Sequence, residues 1–198
     1  MNKPAVTAQP IHDVLANRWS GRAYDAEKLV SAEQVTSLLE AARWAPSCFG
    51  DQPWRFVVCN KADNAPAWQA AYDCLVSANQ SWATHAPVLL LICADTVFSH
   101  NEKPNKWAAY DTGAAAENLC LQAAALGLMA HQMGGFDADK ARATFKVPER
   151  YQILAMATVG YQAAVDNIAE DLKERELAPR SRKPLGELFF NGTWDQPV

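Results

Sequence analysis

The chain has 198 residues, 49% of them hydrophobic and 20% charged, with a formal net charge of -4. That length and composition describe a single foldable domain with a sizeable core and exclude a disordered chain. The acidic balance gives no support to a nucleic-acid partner, whose phosphates require a basic surface.

Residues 1–10 carry prolines and polar side chains in place of the apolar core of a secretory signal, and are expected to form a flexible N-terminus. Ile11 to Trp19 predicts a short helix, followed by a polar, arginine-bearing stretch to Tyr24. Ser31 opens a longer helix. Gln34 stands three residues on, at capping-box spacing, and Val35, Leu38, Leu39, Ala42 and Ala45 recur on one face until Pro46. Phe56 to Cys59 predicts a strand, and Ala67 to Ala78 a helix of weaker periodicity. Val88 to Ala94 is apolar at every position, which predicts a central strand covered on both faces. It is far shorter than the roughly 20 residues a membrane-spanning helix needs, so no membrane partner is expected. Tyr110 to Leu126 predicts the longest helix, closed by Gly127. Met129 to Met133 predicts a strand, Asp137 caps a helix to about Phe145, and Ile153 to Val159 predicts a last strand. After Tyr161 the composition turns charged. The final stretch, residues 179–198, shows no periodicity, yet it contains Leu188, Phe189, Phe190 and Trp194. Such a tail is expected to pack on a neighbouring subunit. The whole is read as an α+β domain, a sheet wrapped by helices.

The five cysteines are odd in number, scattered through apolar segments and without a C-x-x-C pair, as befits buried thiols in a reducing, cytoplasmic compartment. The histidines at 12, 85, 100 and 131 are isolated, so no metal site is expected. Neither a P-loop nor a Rossmann fingerprint occurs.

Two segments carry the chemistry. Arg18-Trp19-Ser20-Gly21-Arg22 places two guanidinium groups and a hydroxyl within five residues, a set suited to phosphate oxygens, although alone it reads as a solvated charged turn. Ala45 to Phe56 is a proline-bounded helix-to-strand connection with aromatic residues inside it, able to present backbone groups and a wall to a flat ring, or simply to be a structural loop. R-W-S-G-R-A-Y-D followed by A-P-S-C-F-G-D-Q-P-W-R-F resembles the paired N-terminal signatures of the nitroreductase family of FMN-dependent oxidoreductases. The resemblance continues through Tyr110-Asp111-Thr112-Gly113-Ala114 with Glu117-Asn118-Leu119, through Gly127-Leu128 and Gly134-Gly135-Phe136, and through Arg180-Ser181-Arg182-Lys183-Pro184-Leu185. It spans roughly residues 11 to 194, and its specificity lies in the order and spacing of the segments.

The resemblance implies a central, mainly antiparallel sheet and a homodimer with FMN sites at the subunit interface. It implies that Arg18, Ser20 and Arg22 hold the phosphate and ribityl chain, assisted by Arg180 and Arg182. It further implies that Pro46, Ser47, Cys48 and Phe49 approach the flavin from the partner subunit, with Gln52 and Trp54 supporting them. Met133, Gly134 and Gly135 match the turn that lies along the flavin ring. Trp19 fits the position flanking the phosphate, and core packing explains it equally well. Two positions depart from the family pattern: Gly50 stands where many members carry asparagine, and Gly134 where the best-known members carry an acidic residue. The implied reaction is ping-pong transfer from NADH or NADPH to nitroaromatics, quinones or related small electrophiles, with no side chain needed as a catalytic acid or base. Phe49 and Trp107 are expected to line the cleft. A flavin carrier or sensor without turnover and an FMN oxidase or dehydrogenase of a biosynthetic intermediate are the alternatives, while a cofactor-free domain leaves the joint spacing unexplained.

Overall fold

Strand β2 (Val88–Asp95) is buried at all of its positions because successive side chains enter two different cores. Val88, Leu90 and Ile92 point into one core with helices α2 (Ala32–Arg43) and α5 (Ala108–Ala125). Leu89, Leu91 and Cys93 point into the other, with α3 (Ala65–Tyr72), α4 (Ser77–Ala83) and α6 (Ala138–Phe145). The computed structural model describes residues 3–198. Its sheet has the order β1-β2-β4-β3, with β1 (Trp54–Asn60), β3 (Met129–Met133) and β4 (Tyr151–Gly160), and every pairing is antiparallel. Leu154 is skipped where the β2–β4 register shifts between Ile92 and Cys93, a one-residue bulge.

Local signals place several boundaries. Ser31 and Gln34 form the reciprocal capping box of α2. Gly127 (φ 71°) ends α5 in the left-handed region, with Leu128 N–H donating to Ala123 O at 2.8 Å and Gly127 N–H to Ala124 O at 3.1 Å. Asp137 caps α6 by accepting from Lys140 N–H.

Two local expectations are corrected, and one helix was not foreseen. The first helix, α1, covers only Asp13–Asn17, because the chain turns extended at Arg18. Residues 67–78 are not one helix: α3 ends at Tyr72 and α4 begins at Ser77. Residues 74–76 between them bond instead to the 135–137 turn, through Val76 N–H to Gly135 O and Asp137 N–H to Cys74 O. The charged stretch after Tyr161 contains a helix, α7 (Glu170–Leu177), which the sequence does not reveal. Its inward side carries Leu172 and the fully buried Glu176, one turn apart, so there is no apolar stripe to read.

The ends of the chain meet. Ala5 N–H donates to Ala16 O at 2.8 Å, and Arg180 Nη1 donates to the carbonyls of Lys3 and Ala16. Beyond Arg180 the tail contains a single helical turn at Leu185–Glu187 and a bridge between Phe190 and Pro197, leaving Leu188, Phe189 and Trp194 exposed. No helix among the described residues is long and apolar enough to cross a membrane.

Candidate functional site

A cavity of about 200 Å³ is lined by Arg18, Trp19, Ser20, Arg180 and Arg182. These residues come from opposite ends of the chain, and the folding back of the tail after α7 brings them together. Arg18 leaves α1 at its C-terminus, where its Nε lies 3.3 Å from Glu117 Oε1 on α5 and its Nη1 lies 3.4 Å from Ser20 Oγ. Arg180 spends three N–H groups on main-chain carbonyls: Nη1 on Lys3 (2.7 Å) and Ala16 (2.6 Å), and Nη2 on Arg18 (2.9 Å). Its Nε–H and second Nη2–H have no acceptor among the described residues. Neither Arg180 nor Arg182 has a carboxylate partner among the described residues. Burial, and then the neighbouring Arg18 and Arg182, hold the Arg180 guanidinium below its ordinary pKa. Three cations converge on one small space and repel one another, so the site is built for an anion.

Trp19 lines the cavity and also packs against the α3/α4 core, with Lys3 Nζ 4.3 Å from its ring centroid. Arg22 does not line this cavity. Its guanidinium carbon stands 5.8 Å from the Trp82 ring centroid and its N–H donates to Glu176.

The second expected segment forms a separate feature. Phe49 (φ 55°), Gly50 (φ 66°) and Gln52 (φ 51°) all occupy the left-handed region, a conformation that costs roughly 1–3 kcal/mol at each residue bearing a side chain. The loop is held there by Cys48 N–H donating to Asp111 Oδ2 at 2.9 Å, Gln52 N–H to Ser47 Oγ at 3.0 Å, and Ser99 donating to Asp51 through both its N–H and its hydroxyl. Burial alone would raise the Asp51 carboxyl, but the Ser99 hydrogen bonds, helped by His100 and Arg55, hold it below the ordinary aspartate range. The glycine at 50 thus answers a backbone demand, and open space surrounds it. Pro46 is exposed and Phe49 lies on the surface, its ring 5.8 Å from Phe98 and 5.2 Å from His100. Trp107 is also exposed, against Tyr110 at the start of α5. Asp111 and Glu117 are six residues apart on α5, so one helix carries the anchors of both features, about 9 Å apart along its axis.

Met133, Gly134 and Gly135 lie at the end of β3. Gly134 faces open space, whereas a Cβ at Gly135 would stand 2.6 Å from Asn79 Nδ2. The glycine at 135 is therefore required by the close approach of α4, and Gly134 is the exposed member of the turn.

Sequence reading overlooked Glu117, Glu176, Lys3 and His131 as parts of this region. His131 on β3 donates from Nδ1 to the Gly21 carbonyl at 3.0 Å; a carbonyl only accepts, so the neutral ring carries its proton there. Burial pushes the imidazole below its ordinary value, against the hydrogen bonds to Gly21 and Ser20 and with the help of Arg22 and Arg18. The unfolded chain consequently takes up the proton first. The contribution of His131 to stability is complete above the unfolded pKa of about 6.5 and is lost as pH falls through that value towards the lower folded one. Urea midpoints are expected to decline between about pH 7.5 and 5.5, and less so in His131→Gln. Equal declines in the two proteins would remove His131 from this role. The cysteines offer no nucleophile in the core, since burial pushes the thiols of Cys59, Cys93 and Cys120 up to about 11. Among the described residues no group of three potential metal ligands occurs.

Residues 15–161 match the model of the nitroreductase family. A solved structure described as an oxidoreductase containing FMN is 33% identical, covers 96% of both chains and superposes with a TM-score of 0.88. A Desulfovibrio desulfuricans protein solved in complex with FMN is 27% identical, with a TM-score of 0.71 over 95% of this chain and 99% of that one. A Ralstonia nicotianae relative with the provisional name NADH dehydrogenase/NAD(P)H nitroreductase is 30% identical over 179 residues, 80% of this chain and 87% of its own. With the family model covering both the Arg18–Arg22 segment and the 46–52 loop, the chain belongs to the nitroreductase family.

Proposed function

We propose that this protein is an FMN-dependent oxidoreductase that takes reducing equivalents from NADH or NADPH and passes them, in a ping-pong cycle, to nitroaromatics, quinones or related electrophiles. The observation that carries this reading is the convergence of Arg18, Ser20, Arg180 and Arg182 on one cavity beside Trp19. The donor set fits a phosphate dianion: guanidinium forks match its oxygens, Ser20 adds a hydroxyl, and no carboxylate partner neutralises Arg180 or Arg182 among the described residues. When bound, FMN supplies a ring that takes up two electrons from a nicotinamide and gives them to an oxidant, chemistry that side chains do not offer.

The chain's own residues then bind, orient and shield. Arg18, Ser20 and Arg182 hold the phosphate, while Arg180 both contributes charge and fixes the main chain at Arg18. Gly134, where an added Cβ would meet none of the described residues within 4 Å, leaves backbone open to a flat ring. The 46–52 loop, braced in a costly conformation, presents Phe49 as an aromatic surface. No side chain is required as acid or base, and none is assigned as catalytic. A homodimer accounts for the exposed apolar groups of the tail and of Phe49, Trp107 and Tyr110, which one copy leaves uncovered. The free thiols fit a reducing, cytoplasmic setting.

The test is the visible spectrum of the purified protein, identification of the released chromophore, and NAD(P)H oxidation on addition of a quinone. A yellow protein that releases FMN and consumes nicotinamide only when oxidant is present is the expected result. A colourless protein that takes up no FMN overturns the cofactor assignment, and a flavoprotein without turnover is a carrier.

A further inference from the structure

Two residues four apart, Glu176 and Arg180, grip opposite ends of the 18–22 segment. Arg180 Nη2 donates to the Arg18 carbonyl at 2.9 Å, and Arg22 N–H donates to Glu176 Oε1 at 2.8 Å. Glu176 is completely buried on a helix whose neighbouring residues are mostly exposed. Its Oε2 has no hydrogen-bond partner among the described residues. That oxygen lies against Gly21, where a Cβ would stand 3.0 Å from it and 2.9 Å from the Trp19 ring. A carboxyl in such a place carries a desolvation cost that an apolar side chain of the same size would avoid. What the carboxyl adds is an acceptor for the partly buried Arg22 N–H, which has no other acceptor among the described residues. Lys3 ties the arrangement together: its Nζ donates to the Glu176 carbonyl at 2.6 Å, and its own carbonyl accepts from Arg180 at 2.7 Å.

We propose that Glu176 is a positioning residue for the phosphate-holding loop, acting through the Arg22 N–H as an acceptor, so that the end of α7 sets the conformation in which Arg18 and Ser20 face the cavity. The inference rests on the reading of that loop as the FMN phosphate site. It concerns a residue that makes no contact with the cavity itself.

The test compares Glu176→Leu, which keeps the volume and removes the acceptor, with Glu176→Gln, which keeps an acceptor oxygen. In the ligand-free protein, amide exchange at Arg22 is expected to be ~10-fold faster in Glu176→Leu with β2 amides unchanged, and FMN dissociation constants are expected to rise ~10-fold in that variant while Glu176→Gln stays within about 2-fold. If Glu176→Leu does not fold, Glu176→Asp, which keeps the carboxyl and withdraws the acceptor by one methylene, takes its place with the same expectation. Wild-type exchange and affinity in the acceptor-deficient variant overturn the proposal, and so does a Glu176→Gln protein as impaired as Glu176→Leu. A wild-type protein that binds no FMN overturns the cofactor reading instead, and the amide exchange still decides the role of Glu176.

Discussion

Replacing Arg18 and Arg182 together by alanine is expected to weaken FMN binding by ~10²- to 10⁴-fold, since each charge-assisted hydrogen bond to a phosphate contributes roughly 1.5–3 kcal/mol. These two are chosen because Arg180, the third cation of the cavity, also holds the main chain at Lys3, Ala16 and Arg18, and its removal would mix binding with folding. Neither Arg18 nor Arg182 has that second duty. Arg18 pairs through its side chain with Glu117, which is half-exposed and is readily hydrated when the pair is lost. Arg182 is exposed and, among the described residues, donates only to the adjacent Ser181 carbonyl. Titration of flavin fluorescence against the two proteins checks the prediction, with the thermal midpoint of the ligand-free forms as the control for folding. Turnover should return at high added FMN, because the variant lacks affinity and not the architecture around the ring. A change of less than about 3-fold would mean that the phosphate is held elsewhere, since even one such bond exceeds that on the usual scale.

The largest loss of stability is expected from Leu119→Ala. Leu119 is 2% exposed on α5 and packs in the core shared by α2, α5 and one face of the sheet. Truncation removes apolar burial and leaves a cavity that close-packed neighbours only partly fill, at a cost of ~2–5 kcal/mol. For a chain of this size that corresponds to a melting midpoint lower by ~4–20 °C. The helix also carries Asp111, which anchors the 46–52 loop, and Glu117, which pairs with Arg18. The stability loss should nevertheless be the same with and without FMN, because Leu119 faces the core and not the cavity. Denaturant unfolding at both conditions is the measurement. A loss below about 1 kcal/mol would contradict the packing assigned to this face.

Much of the fold is legible in local signals. The Ser31 and Gln34 pair, Gly127 and Asp137 satisfy or redirect backbone groups within a few residues, so their effect does not depend on distant parts of the chain. The unbroken apolar run of β2 likewise announces a strand with a core on each side. The break between α3 and α4 is different in kind. Residues 74–76 have no strong breaker of their own, and they leave helical conformation because the 135–137 turn offers their backbone groups partners. The helix α7 was hidden for the opposite reason, since its buried side includes a glutamate and the pattern therefore looks like a solvated face.

For the site, the residue types alone suited phosphate oxygens but read as a solvated charged turn, and it was the spacing of several segments that pointed to a family. Which arginines meet was not in the spacing. Arg18 and Arg180 are 162 positions apart, and only the return of the chain through α7 places them on one cavity while directing Arg22 towards Trp82. The sequence by itself determined the short-range events, the caps, turns and alternation that each act over a few covalent bonds. The tertiary structure alone decided the long-range ones, because a partly buried N–H such as that of Arg22 finds its acceptor wherever folding has put one, and here it is a glutamate 154 residues away.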